Sequence, residues 1–78
     1  MRVSVRLNGP MAALLGPRRE LELAEGARVS DLLGTLAELA GVAGVPGLAV
    51  SIDGVIVDGA RSLAEGDQVA VLAPVAGG

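Results

Sequence analysis

The sequence predicts a two-layer α+β domain, one helix laid across one face of a sheet, with elements in the order ββαβββ. Three observations carry this expectation. Apolar and polar residues alternate in short segments at both ends of the chain, the pattern of strands with one buried face. Over residues 29–40 the apolar spacing lengthens to that of a helix with one apolar stripe. Gly and Pro mark each change of period. Such a stripe and such a sheet face can bury each other, which is the packing that defines the layers.

The first strand is expected over Arg2 to Leu7, with Val3, Val5 and Leu7 on one face and Arg2, Ser4 and Arg6 on the other. Arg19 to Leu23 repeats the pattern, Leu21 and Leu23 against Glu20 and Glu22. If the two pair antiparallel, Arg and Glu share the solvent face and attract across it at a few tenths of a kcal/mol per pair. Between them, Pro10 as a first helical residue and Gly16-Pro17 as a stop predict one short helical turn within a long connection. Val29-Ser30-Asp31 then opens the main helix, with Ser30 as N-cap, Asp31 against the macrodipole and Val29 as a staple. Val29, Leu32, Leu33, Leu36, Ala37 and Ala40 form its apolar face and Gly41 ends it. Gly34 inside this helix is expected to allow close approach to the sheet.

Val42 to Gly47 is a Gly/Pro connector. Leu48, Val50 and Ile52 alternate with Ala49, Ser51 and Asp53 as a third strand, and Asp53-Gly54 signals a two-residue hairpin into Val55-Ile56-Val57. Leu63 to Asp67 reads as a turn anchored by one buried leucine, with Glu65 and Asp67 as turn residues. Gln68 to Ala73 is the last strand, and Pro74 ends its hydrogen bonding. Val69 and Val71 are expected to face the helix, and Ala70 and Leu72 the opposite side, beside Arg6 and Glu22. That apolar patch reads either as a partner surface or as scattered surface aliphatics.

Composition narrows the chemistry. The 78 residues suit one small domain, 51% of them hydrophobic and none aromatic. Without aromatic platforms, and with a net charge of −3, nucleic-acid binding is disfavoured. No apolar run approaches a membrane span and no leader precedes the first strand, so a cytoplasmic protein with no membrane partner is expected. Cys and His are absent, which excludes thiolate nucleophiles, disulfides, zinc sites and imidazole general bases, and no metal site is expected. All six basic residues are Arg, so Schiff-base chemistry is excluded too. Nor do the nine carboxylates cluster as a metal site or a glycosidase pair. No catalytic residue is expected. The remaining chemical handle is the ending Pro74-Val75-Ala76-Gly77-Gly78, whose two glycines can thread a narrow channel and present the Gly78 carboxylate to another enzyme.

Leu63-Ala64-Glu65-Gly66-Asp67-Gln68-Val69 followed by Ala70 to Gly78 is similar to the ending of the MoaD/ThiS family of ubiquitin-like sulfur carriers. There a Leu-x-x-Gly-Asp-Glu-Val turn leads into an apolar strand and then Pro-Val-x-Gly-Gly. Val50-Ser51-Ile52-Asp53-Gly54 likewise resembles the family's Val-Asn-Gly hairpin, with Asp in place of Asn. The resemblance covers essentially the whole chain. It implies a β-grasp fold with a mixed sheet over residues 1–73 and a flexible tail over 74–78. It also implies a carrier that is not itself an enzyme and binds no cofactor. An adenylyltransferase-type activating enzyme, using ATP and magnesium, would convert the Gly78 carboxylate to an acyl-adenylate, and a sulfur donor would leave a thiocarboxylate. Gly77, Ala76, Val75 and Pro74 would give the tail access, while Leu72, Ala70 and Arg6 would meet the partner.

Within the family, the long connection from Asn8 to Arg18 and the Pro74 ending look most like the molybdopterin synthase small subunit. The acceptor would then be the synthase large subunit. Other sulfur acceptors remain open, in thiamine, cysteine, tRNA thiolation or secondary metabolism, as do a ubiquitin-like protein modifier and a plain β-grasp binding module.

Overall fold

Residues 1–43 and 48–73 are described by the computed structural model. β1 (Arg2–Leu7) and β2 (Arg18–Glu22) pair antiparallel, Arg2 opposite Glu22 and Arg6 opposite Arg18. Their alternation is realised in burial: Val3, Val5, Leu7 and Leu21 are buried, while Arg2, Arg6, Arg18, Glu20 and Glu22 are exposed. β2 begins one residue earlier than the alternation suggested. The ladder nevertheless extends past it, because the Leu23 N–H donates to the Met1 carbonyl at 2.8 Å.

The connection between these strands holds α1 (Gly9–Leu15), seven residues rather than one turn, with Pro10 in its first turn. Met11 is its buried anchor, and α1 packs against β1, β2 and the second helix. A helix this short is marginal alone and is held by that tertiary contact. The sheet is thus covered by two helices instead of one.

α2 (Val29–Ala40) buries Val29, Leu32 and Leu36 against the sheet, with Leu33, Ala37 and Ala40 half-buried. Its N-cap is Arg28, in extended conformation, and not Ser30. The Val29 N–H donates to the Arg61 carbonyl and the Ser30 N–H to the Gly59 carbonyl, both at 3.0 Å. The Asp31 carboxylate accepts the Arg28 N–H at 2.8 Å, closing the turn from inside. A neighbouring loop and Asp31 therefore satisfy the first donors of the helix, and the Leu32 N–H, which a Ser30 cap would have served, bonds instead to the Arg28 carbonyl at 3.1 Å. Gly34 does not approach the sheet either: among the described residues, a Cβ placed on it would meet nothing within 4 Å.

β3 (Ala49–Ile52), β4 (Val55–Val57) and β5 (Gln68–Leu72) complete a five-stranded sheet of order β2-β1-β5-β3-β4. β5 lies at its centre, parallel to β1 and antiparallel to β3, so the sheet is mixed. Asp53 and Gly54, both with positive φ (50° and 83°), form the hairpin turn whose twist suits the flanking strands. Leu63 is buried below the 64–67 turn, where Asp67 accepts the Ala64 N–H at 2.8 Å and Glu65 accepts the Arg2 N–H at 3.1 Å. Both acids are therefore turn residues. One cluster, including Val3, Val5, Met11, Leu32, Leu36, Val69 and Val71, fills the space between sheet and helices.

Candidate functional site

The candidate site is the sheet face opposite the helices together with the point where the chain leaves β5. Strand pleating decides which side chains share that face. Val69 and Val71 point to the helices and are almost fully buried, so Gln68, Ala70 and Leu72 point away from them. Register then joins the strands into rows. Arg18 lies opposite Arg6, Arg6 beside Ala70, Ala70 beside Ser51, and Ser51 beside Ile56. Leu72 lies opposite Ala49 in the next row.

The expected interface residues Arg6, Ala70 and Leu72 are thus brought to one face. Glu22 is not beside them: it stands opposite Arg2, at the far end of β1. The face is divided. Leu72 and Ile56, 39% and 65% exposed, with Ala49 and Ala70 make an apolar half on β5, β3 and β4. Ser51, between Ala70 and Ile56, is almost covered at 9%. β1 and β2 make a charged half, in which Arg2 Nε donates to Glu22 at 3.0 Å and a second Arg2 nitrogen lies 3.9 Å from Glu20. Such exposed pairs contribute about 0.2–1 kcal/mol each.

Two residues at the exit of β5 escaped the sequence reading. The Ala73 N–H donates to Asn8 Oδ1 at 2.8 Å, which holds the end of β5 against the start of α1. Gly9 follows with φ of 58°, and a Cβ there would lie 3.1 Å from that of Ala73. The crossing therefore needs a glycine both for conformation and for space. The Asn8-Gly9 pair ahead of Pro10 was the available signal, but it was read only as part of the long connection, with no hint of what it touches. Pro74, Val75, Ala76, Gly77 and Gly78 lie outside the described residues.

Among the described residues no three of His, Cys, Asp and Glu come together as a metal would require. No helix of the described residues is long and apolar enough to cross a membrane.

The chain matches the family model described as "ThiS family" over residues 5–78. No curated protein matches it. Among solved structures, it is similar to a Pyrococcus furiosus protein described as putative molybdopterin converting factor, subunit 1. That match has TM-score 0.81 and 28% identity, covering 96% of this chain and 99% of the other. It is also similar to a chain in the complex of subunits 1 and 2 of molybdopterin-converting factor from Helicobacter pylori, with TM-score 0.69, 26% identity and full coverage of both chains. SAMP1 from Haloferax volcanii shares the fold at TM-score 0.82 and 20% identity over both full lengths. The sheet order, the helical layer on one face and a family match from the first strand to the glycine pair agree: the chain has the ubiquitin-like β-grasp fold and belongs to the ThiS family.

Proposed function

We propose that the chain is a sulfur carrier acting as the small subunit of a molybdopterin synthase. The observation that carries this reading is similarity, at 28% and 26% identity over nearly the whole length, to two chains from molybdopterin-converting factors. One of those stands in a complex of two subunits, which supports a partner subunit here as the sulfur acceptor.

In this reading a Gly78 carboxylate oxygen attacks the α-phosphorus of ATP on an activating enzyme, and pyrophosphate leaves. Hydrosulfide then attacks the acyl carbon and AMP leaves with the oxygen that bonded it, so that one oxygen of Gly78 is replaced by sulfur. A carboxylate is a poor electrophile at neutral pH, and the adenylate supplies the leaving group. The thiocarboxylate is the better nucleophile because sulfur is more polarisable. The chain supplies the handle and its positioning, and the chemistry belongs to its partners. The five residues after Ala73 reach at most roughly 17 Å when extended, enough to enter a partner's pocket while the sheet face docks outside it. Hence Gly77, with no side chain, and the short Ala76 favour entry. Pro74 limits the freedom of the first tail residue.

Delivery of sulfur to a different acceptor is the second reading, supported by the family model itself, which matches through Gly78. The test is intact mass of the chain after incubation with ATP, sulfide and an activating enzyme, followed by transfer to candidate acceptors. Replacement of one oxygen by sulfur at Gly78 is expected, as is conversion of the molybdopterin precursor by the synthase large subunit. Thiocarboxylate formation without that conversion would favour the second reading. One residue added after Gly78 should abolish sulfur loading and leave the melting curve unchanged. Full activity of an extended chain that mass spectrometry shows untrimmed would overturn the carrier reading.

A further inference from the structure

Arg6 and Arg18 face each other directly across the β1–β2 ladder on the open face. The ladder's phase makes this meeting close. Leu7 N–H donates to the Pro17 carbonyl, and at the other end Leu23 N–H donates to the Met1 carbonyl. The hydrogen-bonded pairs are therefore the odd-numbered residues of β1, and Arg2–Glu22, Ser4–Glu20 and Arg6–Arg18 are the non-hydrogen-bonded pairs. In such pairs the side chains stand nearest, with Cα atoms about 4.5 Å apart. Arg2 and Glu22 use that geometry for the 3.0 Å ion pair. Arg6 and Arg18 occupy the same kind of position with like charge, which opposes pairing.

Among the described residues neither guanidinium has a carboxylate within ion-pair distance; the side-chain ion pairs of this ladder are those of Arg2. Two adjacent positive charges thus stand unneutralised on a chain whose net charge is −3. On its β5 side, Arg6 borders a shallow depression lined by Ala70 and Ser51, with Asp53 and Gln68 farther along. The charged pair is continuous with the apolar strip of Ala70 and Leu72, on the strand that leads to the tail.

We infer that Arg6 and Arg18 together bind paired carboxylates on an acidic segment of the protein that docks on this face. This rests on the docking role proposed above and adds the partner's chemistry and the residue Arg18. A guanidinium presents donors in a planar fork suited to a carboxylate, and two forks side by side suit two neighbouring acidic side chains. The attraction orients the approach, and the apolar strip supplies the contact area. The like-charged pair is a local cost in the free chain that docking removes.

Three measurements test this. In the free chain, Arg18→Glu sets a carboxylate opposite Arg6 in place of the second guanidinium, and the thermal midpoint should rise. An unchanged or lower midpoint would remove the like-charge argument. In an amide-shift titration with a blocked tetraglutamate peptide, changes should concentrate on the rows holding Arg6, Arg18 and Ala70. They should fade in high salt and vanish in Arg18→Glu, while tetralysine gives none. Shifts elsewhere, or equal shifts in the variant, would overturn the proposal. In sulfur loading, KM of the activating enzyme for Arg18→Glu should rise about tenfold with kcat little changed. Normal loading of Arg6→Glu and Arg18→Glu, together with peptide titrations indistinguishable from the parent, would end the inference and leave the carrier reading intact. Failure of the parent chain to load at all would strike that reading, while the first two measurements still stand.

Discussion

Single residues act here through the backbone group that each side chain reaches. Asp31 accepts the Arg28 N–H from the third position of α2 and places a negative charge at the positive end of the helix. Ser30, one residue earlier, has its N–H satisfied by Gly59 and no cap bond to make. Asp31→Ala should therefore destabilise the fold by about 1 kcal/mol. The melting midpoint should fall by about 4–8 °C for a domain of this size. Ser30→Ala should stay within about 0.5 kcal/mol. Thermal melts of the two variants check this directly, and a larger loss in the serine variant would return the cap to Ser30. Ser and Asp are both good capping residues, so their identity alone could not choose between them. The loop 58–62, brought in from distant sequence, made the choice.

Among the elements, α2 shows how a helix can contain a residue that its packing does not require. Gly34 is exposed, and a Cβ on it would meet none of the described residues within 4 Å, beside the Met11–Leu36 groove. Glycine costs about 0.5–1 kcal/mol relative to alanine in a helix interior. Gly34→Ala should therefore raise stability by that amount in a denaturant titration, with an unchanged slope. A loss of stability instead would mean that the helix surface at Gly34 is covered. The strands behave as their alternation implied, and the Asp53-Gly54 hairpin fell where the dipeptide placed it, because both residues tolerate the left-handed region that such a turn demands. α1 outran its sequence signal, since its length depends on the burial of Met11 under neighbouring elements.

Across the domain, the central position of β5 links the core to the tail. Its inward residues Val69 and Val71 pack into the core, and its outward residues Ala70 and Leu72 stand on the open face proposed above for docking. A side chain can thus be altered on one side of this strand without disturbing the other. Leu72→Glu should leave the far-ultraviolet spectrum and melting midpoint close to those of the parent, because Leu72 is 39% exposed. It should weaken docking to the activating enzyme by about tenfold, through the loss of apolar contact and a misplaced charge. Unfolding of this variant would place Leu72 in the core, and undiminished docking would move the interface away from this face. Asn8 and Gly9 fasten the end of the strand, at Ala73, to the start of α1.

Legible in the bare chain were the periods of the strands and the main helix, the hairpin at Asp53-Gly54, the buried Leu63 and the likeness of its ending to a carrier family. These are local patterns, written in residues two to four positions apart or in one short motif. The order β2-β1-β5-β3-β4, the moving of Glu22 away from the apolar patch, the cap at Arg28 and the contact between Ala73 and Asn8 emerged only on folding. Each depends on segments far apart in the chain. Alternation tells which residues share a face of one strand, but it carries no information about which strand lies beside it. The facing of Arg6 and Arg18 illustrates the limit. Each was visible as an arginine near a strand, and the register of two strands made them a pair.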